Sequence, residues 1–271
     1  MKYAFMSFSC PDLTLDALLE LAQETGYDAV EPRASAKHGH GIEIAASPAQ
    51  RATIKSKAAA AGVSYCCLAT SCRYADPETL ASNVAETHQF IDLAADIGAD
   101  KLRVFGGTIG KGLSREAAIE QVAKALGGVA EHAGEKGVTL CLETHDDWCD
   151  PSHVAALMTA VDHPNIAVNW DIMHPVRTGL ATMDQAYKIL APWIQYVHIH
   201  DGSADLSQLT FKAIGEGDID HKQALEQLMA DNYNGYLSGE WINWEAYSVH
   251  LPRELATMKR LETEISAEKI Q

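Results

Sequence analysis

The 271-residue sequence lacks several features that would settle its class at once. No uninterrupted apolar run reaches the 18 or more residues of a membrane span, so no membrane association is expected. The opening MKYAFMSFSCPDLTLD has no long apolar core and turns acidic early, unlike a secretory signal. No C-x-x-C pair is present. The six cysteines, Cys10, Cys66, Cys67, Cys72, Cys141 and Cys149, are scattered, and two of them are adjacent. That excludes a disulfide scaffold and a zinc knuckle and points to a reduced, cytoplasmic protein. Positive charge is also scarce: 21 Lys and Arg face 37 Asp and Glu, a net −16. No basic tract can neutralise a run of phosphates, so no nucleic-acid partner is expected.

What is there is a rhythm. Short apolar runs alternate with longer amphipathic ones eight times. The predicted strands are 2–9, 27–33, 63–69, 101–105, 138–143, 166–171, 194–200 and 236–241. The predicted helices are 13–25, 48–61, 77–97, 114–136, 151–160, 183–190, 220–231 and 252–265. Glycines follow the first four, and Ser114 stands where a helix N-cap belongs. Strands alternating with helices imply βαβ units and a parallel sheet. Eight units in a chain of this length predict an α/β fold, a single-domain (β/α)8 TIM barrel over residues 1–271. A doubly wound open sheet is the alternative, but no G-x-G-x-x-G follows the first strand.

A TIM barrel carries its active site at the C-terminal ends of its strands. Strand five ends at Glu143, with His145 two residues on. Strand six ends at Asp171, with His174 close behind; strand seven ends through His198, His200 and Asp201, and strand eight delivers Glu240. Four consecutive strands thus bring a carboxylate or an imidazole to one mouth. Carboxylates with an imidazole and no competing thiolate suit Mn²⁺, Mg²⁺, Co²⁺ or Zn²⁺. Period-2 alternation sends His198 and His200 to the same face, which leaves either as the imidazole ligand.

The stretches LETH (142–145), WDIMH (170–174), VHIHDG (197–202), AIGEGDID (213–220) and GYLSGEW (235–241) occur in an order and spacing that resembles the xylose isomerase-like TIM-barrel superfamily of sugar phosphate isomerases and epimerases. The resemblance implies a divalent metal ion held by Glu143, Asp171, His198 and Glu240, with His174 facing the substrate. His198-Ile199-His200-Asp201 matches the family's His, apolar, variable, Asp order, which makes His198 the ligand and His200 a substrate contact or a support. Relatives of this type bind a hydroxy ketone, and the implied catalytic groups are Glu143 and Glu240 as paired acid and base through an enediolate, with His174 assisting. The implied partner is a small-molecule carbohydrate, and a homo-oligomer is compatible.

Other residues carry weaker expectations. His145, His200, Arg33 and Trp241 are read as substrate contacts. Arg33 has an ion pair with Glu31 or another acid as its alternative, and Trp241 has plain burial. Trp148 is a stacking surface or core. Arg103 reads as a barrel-wall ion pair, Arg177 and Lys212 as anion contacts, and AKHGHG (36–41) as a mobile or solvated loop. Two rival activities share the scaffold. A metal-dependent dehydratase of a keto-sugar, keto-cyclitol or dehydroshikimate-type substrate would start with the same proton abstraction. An endonuclease IV-like repair enzyme needs further histidines after strand seven, and residues 202–214 contain none.

Overall fold

In the computed structural model, residues 1–203, 205–206 and 208–268 are described. The chain runs β1 (Lys2–Met6), α1 (Leu15–Thr25), β2 (Ala29–Glu31), α2 (Pro48–Ala61), β3 (Ser64–Tyr65), β4 (Leu68–Arg73), α3 (Leu80–Ile97), β5 (Lys101–Phe105), α4 (Arg115–Glu135) and β6 (Thr139–Glu143). It continues α5 (Pro151–Val161), β7 (Ile166–Asp171), α6 (Met173–Arg177), α7 (Met183–Leu190), β8 (Ile194–Ile199), β9 (Asp201–Gly202), β10 (Phe211–Lys212), α8 (His221–Ala230), β11 (Tyr236–Gly239) and α9 (Tyr247–Glu268).

Local chemistry fixes the helix ends. The side chains of Thr14, Ser47, Ser114, Asp150, Thr182 and Asp220 each accept a first-turn backbone N–H, and Ser47–Gln50 and Thr182–Gln185 form reciprocal capping boxes. Gly26, Gly62 and Gly98 close α1, α2 and α3 in the left-handed conformation.

The sheet order is β3-β2-β1-β11-β8-β7-β6-β5-β4, with every pairing parallel. The third strand of the barrel is divided. β3 pairs with β2 and β4 with β5, and Cys66-Cys67 interrupts the run expected to be one strand over 63–69. The two pieces meet the second strand again beyond the break, where the Ala69 N–H donates to Pro32 O (2.9 Å) and the Ala34 N–H to Ala69 O (3.0 Å). Those bonds bring the ends of the sheet together, and the fold is a single-domain TIM barrel.

Three further departures concern boundaries. α3 begins at Leu80 rather than residue 77, an extra short helix α6 follows β7, and α9 starts at Tyr247 with Pro252 inside it. The main apolar core lies between sheet and helices. A second, smaller cluster lies inside the barrel: Ala4, Ala29, Cys66, Cys67, Cys141 and Ala167 packed around Tyr196. Small side chains are needed there because the single tyrosine ring takes up much of the cylinder. All six cysteines are free and buried. Among the described residues, no helix is long and apolar enough to cross a membrane.

Candidate active site

Above the tyrosine layer the barrel interior becomes ionic. Alternation along β6, β7, β8 and the end of β11 turns Glu143, Asp171, His198 and Glu240 inward at one level. Their ligating atoms all lie within 4.8 Å of one another, and all four residues are buried. Both Glu143 oxygens, Asp171 Oδ2 and His198 Nδ1 are sealed from solvent without a hydrogen-bond partner. Three carboxylates this close repel one another unless a cation sits among them. Acceptors that accept no hydrogen bond and face a common point, with one imidazole nitrogen, fit a divalent ion of the hard or borderline kind.

The ring of His198 is oriented from behind. Its Nε2 lies 3.0 and 3.2 Å from the two Glu31 oxygens, and the Tyr196 hydroxyl donates to Glu31 Oε2 at 2.8 Å. Its Nδ1 is thereby turned to Glu240 (3.2 Å) and Glu143 (3.7 Å). A carboxylate behind a histidine fixes which nitrogen is presented to a metal. Burial alone would raise the Glu31 carboxyl, but the imidazole and Arg103 outweigh it and hold it below the usual range. Glu31 was visible only as a partner for Arg33. It forms no pair with Arg33 and goes to His198 instead.

Asp171 is held by three groups. Its Oδ1 accepts the backbone N–H of Met173 (2.9 Å) and of His174 (3.2 Å), and Oδ2 lies 2.8 Å from His200 Nε2. The other nitrogen of His200 meets the Glu240 carbonyl at 3.0 Å. His200 therefore supports Asp171 and the turn at Glu240. His174 stands on α6 with Nε2 3.8 Å from Asp171 and its ring edge-on to both His145 (4.5 Å) and His200 (5.6 Å). Burial keeps His174 below its ordinary pKa. His145 is half-buried and held by Asp146 at 2.8 Å. Burial opposes its charge, but Asp146 and Glu143 overcome that and push it up to about 9.

Arg103 is the largest surprise. Its guanidinium, 2% exposed, has Nε 3.2 Å from Glu143 and Nη2 4.0 Å from Glu240, with Phe105 stacked at 4.2 Å. The expected wall ion pair is an ion pair with the two glutamates themselves.

Asp201 explains the VHIHDG and AIGEGDID motifs. Buried as the first residue of β9, just beyond β8, it accepts the N–H groups of Gly202, Gly215, Gly217 and Ile219 at 2.8–3.2 Å. A Cβ at Gly217 would lie 2.0 Å from the Asp201 carboxylate, so only glycine fits there. The staple brings Phe211 to 5.6 Å from His200.

Several expected contacts lie elsewhere. Trp241 is 1% exposed and packs on Gly239, Trp244 and His250, so it belongs to the core. Trp244, half-buried and next to Phe211, is the aromatic left at that rim. Trp148 is fully buried over Gly106 and donates to Gly107 O at 2.9 Å, so it is core as well. Arg177 donates to Asp205 O, and Lys212 is exposed on β10. The segment 36–41 is a loop in which Lys37, Gly39 and Gly41 are exposed while His40 is buried, with Gly39 lying against the Asp12 and Leu13 carbonyls. Arg33 is 8% exposed at the end of the second strand.

Comparison with known proteins agrees with this architecture. The model for "Xylose isomerase-like TIM barrel" matches residues 19–261. A 3-dehydroshikimate dehydratase of Bacillus anthracis is 26% identical over 125 residues, a stretch spanning 45% of this chain and 44% of that protein. The solved structure of a probable 3-DHS dehydratase from Bacillus anthracis superposes with a TM-score of 0.80 at 18% identity, covering 96% of this chain and 99% of that one. An L-ribulose 3-epimerase structure gives 0.81 at 19% identity, over 99% and 97%. The IOLI protein, solved with a zinc atom, gives 0.77 at 17% identity, over 99% of both chains. With the family model matched along nearly its whole length, this chain belongs to the xylose isomerase-like TIM-barrel family.

Proposed function

We propose that the protein is a divalent-metal-dependent isomerase or epimerase of a keto-sugar or related polyhydroxy carbonyl compound. The observation that carries this is the four-residue cluster Glu143, Asp171, His198 and Glu240, whose ligating atoms converge on one point and include buried Glu143 and Asp171 oxygens that accept no hydrogen bond there. These four would hold the ion, which when bound supplies Lewis acidity that makes the C–H beside a carbonyl easier to ionise. Glu143 and Glu240 then divide the proton transfer. One glutamate, as the carboxylate, removes the proton to give an enediolate, and the other, as the carboxylic acid, returns a proton to the opposite face or to the adjacent carbon. Return to the same carbon epimerises, and return to its neighbour isomerises. Acid-base assistance of this kind contributes roughly 10²–10⁴-fold. Arg103, ion-paired to both glutamates, supplies positive charge where the enediolate oxygens develop. His174 lies within reach of the same mouth to hydrogen-bond a substrate oxygen.

A second reading is a dehydratase. It is favoured by the match to the 3-dehydroshikimate dehydratase and by His145, held by Asp146 on the open side of Glu143, where a leaving hydroxyl needs a donor. The test is proton exchange by NMR in D₂O. The Mg²⁺-loaded enzyme is offered ketoses and keto-acids, with Mn²⁺ or Co²⁺ as alternatives. Deuterium appearing beside the carbonyl, lost with EDTA and in Glu240→Gln, is the expected result. The stereochemistry of the product, or loss of water, separates epimerase, isomerase and dehydratase. No exchange with any of these substrates would count against the proposal.

A further inference from the structure

Arg33 is a buried cation without a counter-ion. It is 8% exposed and forms no ion pair among the described residues. Taking a guanidinium out of water is costly unless an opposite charge faces it. The nearest charged groups do little to offset this. Arg103 repels it, while Glu43 and Glu240 attract it only from beyond ion-pair distance. Its surroundings hold it rigidly all the same. Nη1 donates to the Ala34 and Ala69 carbonyls, Nη2 to Ser71 Oγ, and the ring of Phe8 lies 5.9 Å away. The backbone N–H of Arg33 is fixed by Ser7 Oγ at 2.9 Å. The fold thus positions an unpaired positive charge at the strand ends, on the same mouth as Glu240.

A guanidinium carries five N–H donors. Three are spent on the two carbonyls and Ser71. The two that remain, Nε–H and one Nη2–H, match the two oxygens of a carboxylate. They are too few for a phosphate dianion, which ordinarily gathers a helix N-terminus or several cations. We infer that the substrate carries a carboxylate, which docks on Arg33 while the carbonyl end lies at the Glu143–Glu240 cluster. This deepens the proposed proton-transfer function and rests on it. It narrows the substrate class to polyhydroxy keto-acids, linear or cyclic, in place of neutral ketoses.

The experiment is a thermal-shift series on the full chain at constant ionic strength. Chloride is exchanged for acetate, D-gluconate, D-quinate, 5-keto-D-gluconate or inorganic phosphate, with D-fructose and D-fructose 6-phosphate as further probes. The melting midpoint of the wild type should rise with the hydroxy- and keto-acids and not with D-fructose, and the rise should disappear in Arg33→Met. Arg33→Lys, which keeps the charge and loses the fork, should retain only a fraction of it and decides the matter if the methionine variant does not fold. An absent carboxylate-specific rise in the wild type, one that persists in the variants, or a larger rise with phosphate esters overturns the inference. Deuterium exchange into D-fructose as readily as into 5-keto-D-gluconate would also overturn it and leave the proton-transfer reading intact. Carboxylate-specific binding without exchange into any substrate would do the reverse.

Discussion

The two ends of the barrel interior follow opposite rules. Toward the N-terminal ends of the strands, alanines and thiols close around Tyr196, and burial pushes those thiols up: Cys141 to about 12, with Cys66 and Cys67 higher still. Toward the C-terminal ends, Glu31, Arg103, Glu143, Asp171, His198, His200 and Glu240 fill the same cylinder with charge, all buried. The lower layer gains from burial by having almost nothing polar to desolvate. The upper layer gives up solvation that its own pairs restore only in part, as the sealed oxygens of Glu143, which accept no hydrogen bond, show. A region that is poorly satisfied by itself is built to be completed by something else. The Tyr196–Glu31 hydrogen bond is the joint between the two.

That contrast can be broken or sharpened, beginning with the strongest test. Glu240→Gln, nearly isosteric, should lower the deuterium-exchange rate by about 10²–10⁴-fold with little change in melting. Full activity would show that the upper layer is structural after all. Next, saturating metal at about 100 times its dissociation constant should stabilise the protein by about 2.7 kcal/mol, read as a rise of several degrees that EDTA removes. Asp171→Asn should abolish most of that gain, together with metal content by mass spectrometry.

The third test asks whether titratable burial matters outside the mouth. His40 is buried and neutral, its pKa lowered to about 4 chiefly by desolvation. A folded pKa below the ordinary 6.5 means that acid favours the unfolded chain. Stability is then complete above about pH 6.5 and falls by about 3 kcal/mol on reaching pH 4. In denaturant titrations His40→Gln should remove that much of the slope. A smaller loss, about 1–2 kcal/mol, is expected from Tyr196→Phe, which takes one donor from a buried carboxylate. A drop in metal affinity larger than the drop in stability would move the boundary between the two layers downward. The smallest effect belongs to the exposed pair Lys57–Asp16 at 2.6 Å, where Asp16→Ala should shift melting by less than about 1 °C.

The parts legible in the sequence were those that repeat. Eight strand–helix units and carboxylates at consecutive strand ends need only periodicity to be seen, so the barrel and Glu143, Asp171 and Glu240 stand out in the sequence, whereas alternation leaves His198 and His200 level and the choice of His198 rests on the resemblance. What stayed hidden depends on distances across the barrel. Glu31 meets His198 from 167 positions away, and Arg103 reaches Glu143 and Glu240 from the middle of its strand. Neither pairing leaves a local pattern. VSYCCLA holds no glycine, proline or charge, so its interruption at Cys66-Cys67 has no signal. Trp241 and Trp244 are alike as sequence, and only the close fit over Gly239 decides which is buried.

The interruption of the third strand also bears on how the molecule breathes. A closed hoop under thermal load parts first at its least-bonded joint. β3 keeps only a two-residue pairing with β2, whereas β5 and β6 are in register over five residues. Amides of residues 64–69 should therefore exchange with solvent through openings of lower free energy than those of β6. The thiols of Cys66 and Cys67, 1% and 0% exposed, can be labelled only while that joint is open. A thiol reagent would then act as a clock on the barrel, timing an opening that global unfolding measurements average away.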